Sequence, residues 1–207
     1  MKNMYPLTGN ITLASRPTVA KCCDVFRQSV KGRRFLCPKE RNKGKAGLFL
    51  EGLLGIPTSS ACLDCVDGEI KAFPQIKAGP RCRLAIPGEY YPKETVAVTM
   101  MKPSDLPNIS WLDSRVRRKL CCTLFVSYVR DNDHIEWHEE RLFDKKHELF
   151  TQLEADYCAI QAQFAEHNET SSKIGKLLQV RTKGPGGDKK SHAFYLRKQF
   201  MIALFKE

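Results

Sequence analysis

The sequence predicts an α/β fold with a mixed central sheet flanked by helices. Segments with the composition of strands alternate with segments of helical apolar spacing along the 207 residues. The run Cys121–Val129 is strongly apolar, as in a buried strand, and apolar residues recur at helical spacing from Phe150 to Phe164. We find no internal repeat. We therefore expect a single domain over residues 1–207, with residues 1–40 as a poorly defined N-terminal extension.

The first half of the chain is predicted to hold two helices and two strands. Residues 19–30 fit a short helix, and residues 44–55 fit a second one that Gly55 caps and Pro57 terminates. Alternating residues predict a strand from Glu69 and another over residues 94–101. Between them, the Pro- and Gly-rich residues 73–92 are predicted to be a loop.

The second half is predicted to continue the alternation. Residues 110–120 fit a short helix, and residues 135–143 are a candidate partner for the apolar strand. Asp144 is predicted to cap a long helix that runs to about His167. Residues 176–183 fit a strand, residues 184–188 a flexible turn, and residues 199–205 a final helix.

Charge and hydropathy limit the classes of partner. The chain has 34 Lys and Arg against 23 Asp and Glu, a formal charge of +11. This excess favours a polyanion, either nucleic acid or an anionic membrane surface. No apolar run is long enough for a transmembrane helix, and residues 1–10 lack the apolar core of a signal peptide. We expect an intracellular, cytoplasmic protein.

The nine cysteines suggest reduced thiols, because their number is odd and the chain shows no export signal. Cys62 and Cys65 have a metal-ligand spacing, and His134 and His138 would complete a zinc set. The separation of the two pairs is far longer than in a zinc finger. Buried free thiols are the interpretation that we favour.

A candidate hydrolytic site begins at Asp64. Glu69 and Lys71 are two residues apart, so on a strand they point to the same face. Asp67-Gly68 is a type I′ turn signal, and a hairpin there would bring Asp64 back toward Glu69. Two carboxylates suit Mg²⁺, and a nearby lysine can stabilise charge on a phosphate. The pattern predicts a metal-dependent phosphodiesterase, although charges also alternate on many solvated strands.

Two neighbouring features could contribute to the same site. Glu51 lies beside the apolar stripe of the helix at 44–55, either as a boundary residue or as a carboxylate aimed at the metal. Lys43 belongs to a basic run over residues 39–45 that flanks this helix. Such runs are commonly solvated, but here the position favours phosphate contact.

Four blocks of sequence together resemble the family of MutH and the GATC-cutting type II restriction endonucleases, which are PD-(D/E)xK nucleases. The blocks occur in the family's order from about residue 41 to the C-terminus. They are residues 41–55 with Glu51, the set Asp64, Glu69, Ile70 and Lys71, residues 110–120 with Trp111 and Lys119, and residues 177–183 followed by 194–200.

The resemblance implies a restriction-endonuclease-like fold, with two lobes around a DNA cleft, and Mg²⁺-dependent cleavage of double-stranded DNA. By position it assigns catalysis to Glu51, Asp64, Glu69, Lys71 and Lys119, with Asp64 and Glu69 as metal ligands. It assigns DNA contacts to Glu94, Arg181, Lys183 and Tyr195. Lys43 is a further candidate for DNA contact through its basic run.

The resemblance leaves three functions open. We expect a type II restriction enzyme that cuts GATC-type sites, as a homodimer on DNA or by sequential nicks. The alternatives are a mismatch-repair nicking endonuclease that a partner ATPase activates, or a DNA-binding relative without catalysis. We expect no membrane partner.

Overall fold

The computed structural model describes residues 16–37, 44–183 and 191–206, and it contains two β-sheets with five α-helices. The helices are α1 (Val19–Ser29), α2 (Lys45–Leu53), α3 (Arg115–Leu120), α4 (Leu149–His167) and α5 (Lys198–Lys206). The strands are β1 (Arg34–Leu36), β2 (Glu69–Lys77), β3 (Tyr90–Pro92), β4 (Val96–Met101), β5 (Cys122–Asp131), β6 (His134–Asp144), β7 (Leu178–Lys183) and β8 (Ser191–Leu196). A 3₁₀ helix covers Pro103–Asn108.

The larger sheet has five strands in the order β1-β6-β5-β2-β3. Strands β2 and β5 run parallel, with Glu69 opposite Thr123, and the other neighbouring pairs are antiparallel. The prediction of a mixed α/β fold is confirmed. The expectation of one central sheet was incomplete, because β4, β8 and β7 form a separate three-stranded antiparallel sheet.

The core consists of two apolar clusters on opposite faces of β5. Phe125 belongs to a cluster that includes residues of both sheets and the apolar face of α4. Leu124 belongs to the other cluster, which includes Phe26 of α1 and Leu50 of α2. The predicted stripe of α4 is confirmed, since Phe150, Leu153, Tyr157, Ile160 and Phe164 are all buried. Strand β5 is apolar because both of its faces are covered.

Part of the predicted N-terminal extension, residues 16–37, packs into the fold. Within the described range 16–37, helix α1 buries Val19, Cys22 and Phe26 in the second cluster. Strand β1 pairs with β6 at the edge of the larger sheet. Residues 16–37 therefore belong to the fold, because burying one face of α1 covers the sheet.

The loop predicted over residues 73–92 was wrong at both ends. Strand β2 continues to Lys77, and β3 pairs with its last three residues. Pro74 is tolerated because it lies where β2 ends its pairing with β5 and begins its pairing with β3.

The predicted cap of the long helix was also wrong. Asp144 is the last residue of β6, and its Oδ1 accepts a hydrogen bond from the amide of Lys146 at 2.7 Å. The helix begins only at Leu149. Asp144 therefore stabilises the turn that precedes α4. The turn predicted at residues 184–188 lies outside the described residues.

None of the helices in the described ranges combines the length and apolar character that crossing a membrane requires.

Candidate active site

The candidate site centres on Glu69, a carboxylate held between two lysines. Glu69 is the first residue of β2, and only 1% of its surface is exposed. Its Oε1 accepts hydrogen bonds from Nζ of Lys71 and from Nζ of Lys119, the latter at 2.5 Å. The lysine side chains are themselves 17% and 16% exposed. Such charge-assisted bonds fix the positions of both cations.

The parallel pairing of β2 and β5 explains how this cluster forms. Lys71 shares a face of β2 with Glu69, because side chains alternate along a strand. Helix α3 leads directly into β5, so Lys119 arrives beside Glu69 from 50 positions away in the sequence. The hydroxyl of Thr123 donates to the carbonyl of Lys119 at 2.6 Å and fixes this junction.

The second oxygen of Glu69 is suited to binding a cation. Glu69 Oε2 is buried and has no hydrogen-bond partner among the described residues. A buried charged oxygen without a partner carries a large desolvation cost. A metal ion bound at this oxygen would remove that cost.

Asp64 reaches the same region from a segment without regular secondary structure. Its Oδ2 accepts a hydrogen bond from the amide of Ile70 at 3.0 Å. Burial raises the pKa of Asp64, and so does the charge of Glu69, while the Ile70 amide and the lysines oppose this rise. The charges of the two carboxylates therefore oppose each other, and a cation between them would relieve the repulsion.

Glu51 of α2 is the third carboxylate of the site. Burial, with a smaller effect from the charge of Asp64, raises the pKa of Glu51 to about 7. Lys71 and Lys119 act in the opposite direction. Glu51 therefore lies within electrostatic range of the other four side chains, and all five residues predicted to be catalytic come together in space.

The donor set fits Mg²⁺ better than zinc. Within the described ranges, no three His, Cys, Asp or Glu side chains are arranged to hold a metal ion. The described residues do not bring Cys62, Cys65, His134 and His138 together as such a group, and both cysteines are free thiols. Mg²⁺ commonly takes only one or two protein carboxylates and keeps several waters. Asp64 and Glu69 would supply those two carboxylates.

The hairpin predicted at Asp67-Gly68 does not form. A type I′ turn requires positive φ at both central residues, and neither residue has it. Gly68 is needed for close packing instead, because a Cβ there would lie 2.2 Å from the carbonyl oxygen of Cys122. Asp67 Oδ1 accepts a hydrogen bond from the amide of Val19 at 2.8 Å. The amide of Cys65 donates to the carbonyl of Gly68 at 2.9 Å, so the chain closes a loop over residues 65–68, one residue earlier than predicted, and helix α1 contacts this loop.

Two of the residues predicted to contact DNA lie together on the three-stranded sheet. The guanidinium carbon of Arg181 is 5.7 Å from the ring centroid of Tyr195. Arg181 Nη1 also donates to the hydroxyl of Thr95 at 3.3 Å. Glu94 is exposed and adjoins Thr95 in the chain. Arg181 is therefore oriented by the ring of Tyr195 on β8 and by the hydroxyl of Thr95, which directly precedes β4.

The other two residues predicted to contact DNA are Lys183 and Lys43. Lys183 is the last residue of β7, and its side chain lies outside the described part of the chain. Lys43 falls in the interval between residues 37 and 44 and is likewise outside it.

Sequence reasoning missed the contacts of two residues that shape the site, Thr123 and Asp67. The position of Thr123 directly after the helix at 110–120 was a usable signal, because hydroxyls commonly bond to the last carbonyls of a preceding turn. Asp67 had no usable signal, since its partner Val19 is 48 positions away.

The segment that carries this cluster matches a known family. Residues 63–161 match the family model described as DNA mismatch repair enzyme MutH. This range includes Asp64, Glu69, Lys71 and Lys119. Over this range the chain is similar to the MutH family. The MutH match begins immediately before Asp64 and ends within α4.

Individual MutH relatives agree with this match over most of the chain. The DNA mismatch repair protein MutH of Haemophilus influenzae strain 86-028NP is 26% identical over 191 residues, which cover 81% of this chain and 80% of the relative. MutH of strain PittGG is 26% identical over 189 residues, with 80% and 79% covered. A solved complex of restriction endonuclease MvaI with its cognate DNA substrate aligns with 89% of this chain and 93% of its own, at a TM-score of 0.42 and 13% identity.

Proposed function

We propose that the chain is a Mg²⁺-dependent DNA endonuclease that hydrolyses phosphodiester bonds at GATC-type sites. The observation that carries this proposal is the carboxylate of Glu69. One of its oxygens is bound by Lys71 and Lys119, the other is buried without a partner among the described residues, and the charge of this carboxylate acts on Asp64. This combination of acids and amines suits a cation and a phosphate together.

Each residue has a defined part in the proposed reaction. Asp64 and Glu69 would hold Mg²⁺, which when bound makes water a better nucleophile and offsets phosphate charge. Lys71 donates to the phosphate oxygens that gain negative charge, and Lys119 holds the orientation of Glu69. Glu51, whose pKa is about 7, can accept a proton near neutral pH.

Cleavage of plasmid DNA tests the proposal. We expect purified protein to cut a supercoiled plasmid with GATC sites in Mg²⁺ and to leave it intact in EDTA. Glu69→Gln should lower the rate by about 10²-fold or more, because it removes a charged ligand and the partner of two lysines. Full activity of Glu69→Gln would refute the site.

Glu140→Gln is a matched control for this experiment. Glu140 is also a buried glutamate between two cations, Arg27 at 2.7 Å and Lys31 at 3.0 Å. It lies on β6 and takes no part in the candidate site. We expect its rate of cleavage to remain near that of the wild type at 25 °C.

The same plasmid separates two roles for the enzyme. A type II restriction enzyme cuts both strands without assistance, as a homodimer or by sequential nicks, and gives linear product. A repair endonuclease gives a slow nick and open circles until a partner ATPase activates it. The names of the relatives from Haemophilus influenzae favour this second role. Plasmid grown without adenine methylation, compared with methylated plasmid, then reveals the sensitivity of the reaction to methylation.

A DNA-binding relative without catalysis would give a different result. It would bind duplex DNA in EDTA and cut nothing in Mg²⁺ or Mn²⁺. The candidate site argues against this outcome, because carboxylates without a cation repel the DNA backbone.

A further inference from the structure

Asp64 lies in a segment that has no secondary structure of its own. In residues 61–68, the Asp64 segment, successive bends over residues 61–67 precede β2. A segment of this kind fixes a side chain poorly unless other elements hold it. The contacts that hold this segment therefore determine where the Asp64 carboxylate lies.

The start of α1 supplies a series of those contacts. The guanidinium of Arg16 donates to the carbonyl of Leu63, and the amide of Val66 donates to the carbonyl of Pro17 at 3.1 Å. Further along, Asp67 Oδ1 accepts from the amide of Val19 at 2.8 Å.

Two packing contacts continue this series along the helix. A Cβ on Gly68 would lie 2.7 Å from Cγ2 of Val19, so the Asp64 segment and helix α1 are in close contact there. The sulfur atoms of Cys22 and Cys65 are 3.7 Å apart and both thiols are buried. The contacts thus extend on both sides of Asp64 and along the first turn of α1.

Helix α1 is a firm support because its own position is fixed by the core. Val19 is 1% exposed, and Cys22 and Phe26 are fully buried. The Asp64 segment is therefore tied to an element that packs against the larger sheet.

We propose that the N-terminus of α1 positions Asp64 for metal binding, with Asp67 as the positioning residue. The inference rests on the proposed metal-dependent function. Asp67 is not a ligand in this arrangement, since its Oδ1 is bonded to Val19. Its bond holds the chain between Asp64 and Glu69 in the path that lets Asp64 Oδ2 accept the Ile70 amide. Mutation of a residue that orients a metal ligand commonly lowers the metal affinity about tenfold or more.

Three variants test the proposal. Asp67→Ala removes the acceptor for the Val19 amide, and Asp67→Asn removes the charge but keeps an acceptor oxygen. Thr18→Ala is the matched control, because the Thr18 hydroxyl accepts from the amide of Lys21 within the same helix end and does not reach the Asp64 segment. Each variant is titrated with Mn²⁺ in the absence of DNA, and bound Mn²⁺ is measured by electron paramagnetic resonance.

We expect Asp67→Ala to weaken Mn²⁺ binding by about tenfold. Asp67→Asn should restore most of the affinity, and Thr18→Ala should bind as the wild type does. Equal weakening in Asp67→Ala and Asp67→Asn would show a charge effect and overturn the proposal. Weakening in Thr18→Ala to the same degree would show that general loosening of the helix end accounts for the loss, and would overturn the assignment of the positioning role to Asp67.

Hydrogen exchange of the Ile70 amide gives a readout that needs no metal. We expect this amide, which donates to Asp64, to exchange about tenfold faster in Asp67→Ala and at the wild-type rate in Thr18→Ala. Unchanged exchange in Asp67→Ala would overturn the positioning role. If exchange responds as expected but the wild type binds no Mn²⁺, the positioning of Asp64 stands and the proposed metal-dependent function fails.

Discussion

Gly68, the residue before β2, packs closely against the backbone of Cys122 and the side chain of Val19. A Cβ there would lie 2.2 Å from the carbonyl oxygen of Cys122 and 2.7 Å from Val19. The carbonyl belongs to backbone and cannot rotate away. We expect Gly68→Ala to lower the free energy of unfolding by about 1–3 kcal/mol, measured by urea denaturation, and to reduce cleavage because Glu69 must move.

Gly47→Ala provides the comparison. Gly47 lies within α2, and no atom is within 4 Å of its added Cβ. The substitution should leave stability equal or raise it by up to about 1 kcal/mol, through helix propensity. If the two variants had equal stability, close packing at Gly68 would not be the reason for its glycine.

Glu140 makes stability depend on acid pH. Burial raises its pKa, but hydrogen bonds from Arg27 and Lys31 outweigh burial, so the pKa lies below the usual 4.5. A depressed carboxylate pKa stabilises the fold above the unfolded-state value, and this stabilisation is lost as the pH falls through the folded-state value. Below about pH 4.5, we expect the urea midpoint of the wild type to fall more steeply than that of Glu140→Gln. Parallel pH profiles would contradict this role.

At the residue scale, the spacing of Glu69 and Lys71 was enough to predict a shared face, because strand periodicity is local. The family resemblance supplied Lys119, which no local pattern connects to Glu69. The support of Asp64 by α1 could not be predicted, since hydrogen bonds between distant segments leave no periodic signal. The Asp67-Gly68 pair shows the same limit: a strong turn signal was overridden by packing against Val19.

Helix α4 is joined to β7 through one buried carboxylate, that of Asp156. Its oxygens accept from the amides of Lys176, Leu177 and Leu178 at 2.9, 2.6 and 2.8 Å, and from the side chain of Gln152 at 2.8 Å. Asp156→Ala leaves these buried amides without an acceptor. We expect it to lower the free energy of unfolding by about 2–4 kcal/mol, measured by urea denaturation.

Glu154→Ala is the control on the same helix. Glu154 is exposed, so its loss should change stability by less than about 0.5 kcal/mol. A loss for Asp156→Ala no larger than that of the control would mean that the carboxylate does not hold α4 to β7.

At the element scale, strong periodicity made α4, β5 and β6 predictable. Long buried faces repeat their pattern several times, so a few exceptions do not hide it. Strand β2 beyond Lys71 was missed because Pro74 normally interrupts a strand, and only the change of partner strand at that residue makes it acceptable. The second sheet was missed because the pairing of β4 with β8 joins residues 96 and 196, a separation that sequence patterns do not encode.

The whole molecule carries a charge of +11, which should dominate its association with DNA. Lys and Arg contacts release counterions from the duplex, so we expect log Kd to rise linearly with log salt concentration. Fluorescence anisotropy with a labelled duplex measures this slope. An affinity independent of salt would contradict an electrostatic interface.

Arg181 should add sequence choice to this general attraction. Under the proposed function, its guanidinium, which lies over the ring of Tyr195, would contact a guanine edge, and such a contact is worth about 1–3 kcal/mol of discrimination. Arg181→Ala should therefore weaken binding to a GATC duplex more than to a scrambled duplex. Arg34→Ala, which removes a cation paired with Asp131 near the β1 edge, should leave the ratio of the two affinities unchanged.

Strands β2 and β5 are parallel, and Glu69 pairs with Thr123 near the start of both strands. The proposed catalysis therefore depends on the correct register between these strands. Because neighbouring positions on a strand face opposite ways, a slip of one residue would send Glu69 and Lys71 to the far side and present Ile70 in their place. A newly synthesised chain whose strands are misaligned thus has no assembled acid and amine groups with which to cut.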